Sequence, residues 1–144
     1  MTPDVNVLLA ASRSDHPHHH PARACLTRAR DEAVLGAPLS LQPMVIASFL
    51  RLATNSRIFV EPTPIEAALR FIDALLAAPG VAQPALGAEW PHLRRLCAEK
   101  SLRGNDLPDA WLAAAVLQQG EHLASFDGDF KRLLPRERFT RLEP

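Results

Sequence analysis

The stretch that most restricts what this chain can fold into is a helix running directly into a strand. Leu107 to Gln119 is a helical segment that Gly120 stops, and His122 to Ser125 follows at once as a short strand. The same alternation recurs along the chain. Thr2 to Asp4 reads as the end of a very short first strand, and Asn6 to Ala11 as helix, with Val7, Leu8 and Ala11 on one face. Ser12 to Pro17 is a loop, Pro21 to Arg30 a helix, and Val34 to Ala37 an apolar run read as the second strand. Leu41 to Thr54 is the next helix. Asn55 to Pro62 connects it to a helix that Thr63 caps and that runs from Pro64 to about Ala78. Val81 to Leu86 is a strand candidate that Pro84 confines to an edge. Pro91 to Lys100 is helical, Asp129 to Leu133 a helical turn, and Phe139 to Leu142 a last strand. Short apolar strands alternating with helices predict an α/β domain whose mainly parallel sheet is covered on both faces. Right-handed crossovers set the loops after the strands along one sheet edge, where ligands bind.

A chain of 144 residues is long enough for one domain with a real core, spanning 1–144. Hydrophobic residues at 47% and charged residues at 22% fit a globular protein and exclude a disordered one. The formal net charge is zero, so phosphate binding would need a local basic cluster. Lys100 and Lys131 are the only lysines, and the remaining basic residues are Arg. Arg suits bidentate phosphate contacts, although a compositional bias explains its use equally well. No apolar run reaches the ~20 residues a membrane span needs, and no signal-peptide pattern opens the chain. A cytoplasmic location without membrane attachment is expected. Cys25 and Cys97 form no CxxC pair and read as buried, reduced thiols.

Three acidic points, far apart in sequence, are placed together by this topology. Asp4 follows the first strand and Asp127 the strand His122 to Ser125; if those strands are neighbours, both carboxylates leave one edge. Asp109 lies in the first turn of the helix that feeds the later strand, so it returns to the same edge. Clustered carboxylates repel, and a divalent cation is what usually holds them together. With oxygen donors alone and neither Cys nor His at helix spacing, the donor set selects Mg²⁺ or Mn²⁺ over Zn²⁺. Such a site activates a water for in-line attack on a phosphodiester. Blander roles exist for each acid singly. Asp106 is most simply a helix N-cap with Asp109 three residues on, Asp127 and Asp129 are turn residues around Gly128, and Asp4 is an acid at a strand end.

The residues that carry this site also carry a resemblance. Asp4-Val5-Asn6-Val7-Leu8-Leu9, Phe49-Leu50-Arg51-Leu52-Ala53-Thr54-Asn55, Pro108-Asp109-Ala110-Trp111-Leu112-Ala113-Ala114 and Leu123-Ala124-Ser125-Phe126-Asp127-Gly128-Asp129-Phe130 occur in this order. Together they resemble the PIN-domain family, specifically VapC-type ribonuclease toxins. The segment Asp15-His16-Pro17-His18-His19 is similar to one common in that subgroup. The resemblance implies a three-layer α/β/α domain with a central sheet of four to five short strands. It implies a Mg²⁺-dependent endoribonuclease, a homodimer and an antitoxin partner that blocks the site. Carried over by position, Asp4, Asp109 and Asp127 are the metal-site acids, Asp129 a supporting acid, and Asn6 the residue that orients Asp4.

One departure stands out. The family usually has a Glu just before the Phe of Phe49-Leu50-Arg51, or a turn earlier; here those positions are Ser48 and Ile46, and no acid lies from Ala33 to Phe59. Asp106, a turn before Asp109, is one substitute, and a water held by Ser48 another. A PIN-like protein-binding module that has lost catalysis is the competing reading. A phosphatase using Asp127-Gly128-Asp129 fits poorly, because such a pair normally follows the first strand. Arg51 reads equally as a phosphate contact or as a partner for a site acid. Lys131, Arg132, Arg136, Arg138 and Arg141 form an RNA-facing patch or a solvated surface. Trp90 and Trp111 are expected to pack, with base stacking a lesser role for Trp111. Leu69, Ile72, Leu75 and Leu76 form a core face, part of it a dimer surface. The run His16, His18, His19 and His20 is expected to be a solvated loop at a helix start rather than a metal site.

Overall fold

The computed structural model describes all 144 residues. Five strands form two parallel sheets, one of three strands and one of two: β1 (Thr2–Pro3), β2 (Leu39–Ser40), β3 (Val81–Ala82), β4 (Leu123–Ser125) and β5 (Phe139–Arg141). β4 lies between β1 and β5, and β2 pairs with β3, every pair parallel. The Ser40 N–H donates to the Met1 carbonyl at 2.9 Å, which sets β2 beside β1. All residues of β1 and β4 are buried. Successive strand residues point to opposite faces, so this central pair is covered on both sides.

Six helices supply the cover: α1 (Val5–Ser12), α2 (His19–Val34), α3 (Pro43–Ala53), α4 (Ile65–Leu76), α5 (Trp90–Lys100) and α6 (Asp106–Gln119). In chain order α1 packs on α2 and α3, α3 on α4, and α5 on α6. The core runs from Val7 and Leu8 through Phe49 and Ile72 to Leu112, Val116, Leu123 and Phe130. α6 buries Ala110 and the unbroken run Leu112 to Val116. A helix buried nearly all round belongs to the interior, and its alanines let neighbouring backbones approach. Gly120, at φ 66°, closes α6 with its N–H on the Val116 and Leu117 carbonyls. None of these helices is long and apolar enough to cross a membrane.

The structure moves several expected boundaries. The second strand is not Val34 to Ala37. Val34 ends α2, the Leu35 and Gly36 N–H groups still bond back to Glu32 and Ala33, and Gly36 turns the chain at φ 102°. Val34 and Leu35 are 65% and 87% exposed, so this apolar run has no buried face to pair. The strand forms one step later, after Pro38. The helix α4 starts at Ile65 with Pro64, not Thr63, at its cap position, and ends at Leu76. Thr63 is occupied otherwise: its hydroxyl accepts from Arg13 at 3.2 Å. Both cysteines are free; Cys25 is buried, whereas Cys97 is only half-buried. Trp90 does not pack as expected and is 60% exposed.

Candidate active site

Asp4 is the best-fixed acid of the chain. It leaves β1 as the N-cap of α1, and the Val5 N–H donates to its Oδ1 at 2.6 Å. Its Oδ2 accepts from the Ser125 hydroxyl at 2.6 Å and from Asn6 Nδ2 at 2.9 Å. The Ser125 Oγ in turn accepts from Asn6 Nδ2 and from the Asp127 N–H, both at 2.9 Å. Asn6 Oδ1 accepts from the Phe126 N–H at 3.2 Å. This net stitches the loop after β1 to the loop after β4, which the parallel register of Pro3 with Ala124 brings side by side. Burial pushes the Asp4 carboxyl above its ordinary value; the bonds from Ser125 and Val5 oppose that, and the charge of Asp127 adds to it.

Asp109 stands in the first turn of α6, half-buried. Its carboxyl is pushed up to about 6, first by burial, then by the charges of Asp4, Asp127, Asp129 and Asp106. Asp4 and Asp109 line one cleft, and the Asp4 carboxylate and the Asp127 N–H share the Ser125 hydroxyl, so the loops carrying the three acidic points are neighbours. Asp127 is exposed, and its Oδ1 accepts from the Asp129 N–H at 2.8 Å. Asp129 is exposed and lies 3.9 Å from Arg132. Asp106 faces elsewhere. Its carboxylate accepts from the Arg103 N–H at 3.3 Å, outside the helix, and its effect on Asp109 is the weakest of the four.

Asp4 and Asp109 line a cleft of about 780 Å³, together with Ser48 and Arg51 of α3. Ser48 is half-buried and Arg51 exposed. Ten of the sixteen lining residues are hydrophobic, among them Met44, Leu52, Leu93, Leu107 and Trp111. Neither Ser48 nor Arg51 carries a negative charge, so α3 adds no carboxylate here. The donor chemistry suits a small hard cation, since every donor is oxygen and Asp109 is destabilised as an anion. No three His, Cys, Asp or Glu side chains already stand at ligating distance from one point. A cation at this edge has to draw the acids together against their repulsion.

The histidine run is engaged within the fold. The His18 N–H donates to His16 Nδ1, His19 Nδ1 meets the Ala10 carbonyl at 2.9 Å, and His18 stacks at 4.7 Å on Phe126. In the C-terminal basic set, Arg138 donates to the carbonyls of Gly120 and Glu121, which makes it structural.

Two residues escape sequence reading. Ser125 is completely buried, a polar side chain at the end of a strand with no exposed face. That mismatch is a usable signal, because a buried hydroxyl needs partners. Glu89, 6% exposed, accepts from Trp111 Nε1 at 2.9 Å and from the Gly87 N–H at 2.6 Å. Nothing in its local sequence marks it.

The profile of the PIN domain matches residues 1–133. Ribonuclease VapC31 of Mycobacterium tuberculosis is 43% identical over 134 residues, covering 90% of this chain and 89% of that protein. VapC ribonuclease Mb2897 of Mycobacterium bovis is 41% identical over 131 residues, covering 90% and 86%. The structure of VapBC2 from Rickettsia felis, bound to a promoter DNA fragment, superposes with a TM-score of 0.65 at 16% identity, over 99% of this chain and 98% of that one. At that identity the superposition speaks for the fold alone. Family profile, relatives and fold agree: the chain belongs to the PIN-domain family and to its VapC branch.

Proposed function

We propose that this chain, acting as one domain over residues 1–144, is a Mg²⁺- or Mn²⁺-dependent endoribonuclease and the toxin of a toxin–antitoxin pair. The observation that carries the reading is that Asp4 and Asp109 line one cleft while the Ser125 hydroxyl joins Asp4 to the Asp127 backbone, with Asp109 raised to about 6 by burial and then by its acidic neighbours. Such a group is costly for the fold and is explained by a cation it serves. When bound, the ion supplies charge neutralisation and an acidified water. Asp4, Asp109 and Asp127 would hold it. Asn6 and Ser125 keep the Asp4 carboxylate in one orientation, and Asp129 braces Asp127 through its N–H. Arg51 presents an unpaired charge at the cleft for an RNA phosphate. Ser48, with only a hydroxyl, replaces the usual acid of α3, and Asp106 tunes Asp109 by charge. No side chain acts as nucleophile.

The relatives' names, VapC ribonucleases, support RNA as substrate. The VapBC2 assembly supports a cognate antitoxin as partner. Ile58, Val60, Ile65 and Leu69 are all exposed and support a homodimer. The site of action would be the cytoplasm. Asp4→Asn and Asp109→Asn proteins should leave RNA uncut, and chelator should stop the wild type. Cutting at wild-type rate by either variant would overturn the reading.

A second reading is a PIN-fold protein-binding module without catalysis. The apolar lining of the cleft and the missing α3 acid favour it. Calorimetry separates the two: Mn²⁺ uptake supports the nuclease, and tight binding of a small protein without Mn²⁺ uptake supports the module.

A further inference from the structure

The cleft that holds Asp4, Asp109 and Arg51 is also lined by Leu86, Leu93, Leu107, Leu112 and Trp111, surfaces that a phosphate gains nothing by touching. Trp111 is unusual among them. It keeps 38% of its surface exposed, although it stands between Ala110 and Leu112, both buried. Its polar edge is already committed, because Nε1–H donates to Glu89 at 2.9 Å. What remains for the cleft is ring carbon.

Glu89, the acceptor of that indole N–H, is the second observation. It is a carboxylate 6% exposed, with no cation beside it, at the junction between the loop and α5. Burial raises its carboxyl, and hydrogen bonds, first that from Trp111, more than reverse this. One Oε is bound to the indole and the other to the Gly87 N–H at 2.6 Å. A buried charge spent on an indole nitrogen fixes the ring in one orientation.

We propose that Trp111 is a stacking platform for one unpaired base of the RNA, and that Glu89 is the positioning residue that holds it ready. This rests on the nuclease reading for its substrate. A base set on the ring lies in the cleft that also holds Asp4 and Asp109, and a paired base has no free face to offer, so the platform selects unpaired over duplex RNA.

The test is binding of a short unpaired RNA oligonucleotide, followed by tryptophan quenching. An Asp4→Asn background prevents cutting, and Trp90→Phe removes the other indole. Trp111→Ala, followed by labelled RNA, should weaken binding about 5- to 150-fold, the range of one base–aromatic stack. Trp111→Phe, which keeps a ring, should lose less. Glu89→Gln keeps an acceptor for the indole and should bind near the parent, whereas Glu89→Ala should fall toward Trp111→Ala. In a set of oligonucleotides each lacking one base, one position should cost the parent affinity and cost Trp111→Ala none. Equal affinity of the parent and Trp111→Ala, or equal cost of base removal in both, overturns the proposal. A flat series with wild-type cutting intact rejects the platform alone; failure of wild type to cut rejects the nuclease reading, and quenching still decides the platform.

Discussion

Asp109→Asn should make the metal-free protein more stable while abolishing its activity. The carboxyl of Asp109 rises from 3.8 to about 6 in the fold. An acid raised in this way binds more protons folded than unfolded between those values, so stability falls as pH rises through the window. The penalty is fully present above pH about 6 and absent below 3.8. Two pH units of displacement correspond to about 3 kcal/mol, and solvent screening at a half-buried site leaves about 1 kcal/mol. For a chain of this length that is about 2–4 °C in Tm. Thermal melts of both proteins in chelator, across pH, are the assay. The variant should melt higher near neutral pH, and the two curves should converge below pH 3.8. Adding Mn²⁺ should reverse the order, since an ion at 100 times its Kd stabilises the wild type by about 2.7 kcal/mol. A variant that melts at or below the wild type in chelator at neutral pH would refute the claim that Asp109 is held against repulsion.

Ser125→Ala removes the hydroxyl that joins Asp4, Asn6 and the Asp127 N–H. Leaving those groups unpaired should cost about 1–3 kcal/mol, read as a lower urea midpoint at unchanged slope. It should also weaken Mn²⁺ uptake by calorimetry, because Asp4 loses its orientation. Gly80→Ala should destabilise by about 2 kcal/mol or more: Gly80 sits at φ 74°, and a Cβ there would lie 2.4 Å from the Ala33 carbonyl oxygen. Urea unfolding checks this as well, and RNA cutting per folded molecule should be unchanged, since the position is remote from the cleft.

The fold class was legible because short apolar runs between helices admit few arrangements. β1 after residue 1 and β4 after Gly120 were placed within one residue of where they lie. The second strand was misplaced because Val34 and Leu35 are apolar yet exposed; hydropathy alone does not tell a helix end from a strand. That Asp4 and the loop carrying Asp127 lie side by side followed from topology, since parallel neighbours end at one edge whatever their side chains.

What the sequence by itself determined is therefore the order of elements and the edge at which the acids gather. Periodicity and chain direction are local properties, and both survive without knowledge of packing. Only the tertiary structure decided which groups serve those acids. Ser125 lies 121 residues from Asp4 and bonds it; Glu89 lies 22 residues from Trp111 and anchors it. It also decided that Asp106 turns to Arg103 instead of into the cleft. Such partners are fixed by side-chain rotamers and burial, which depend on residues far along the chain.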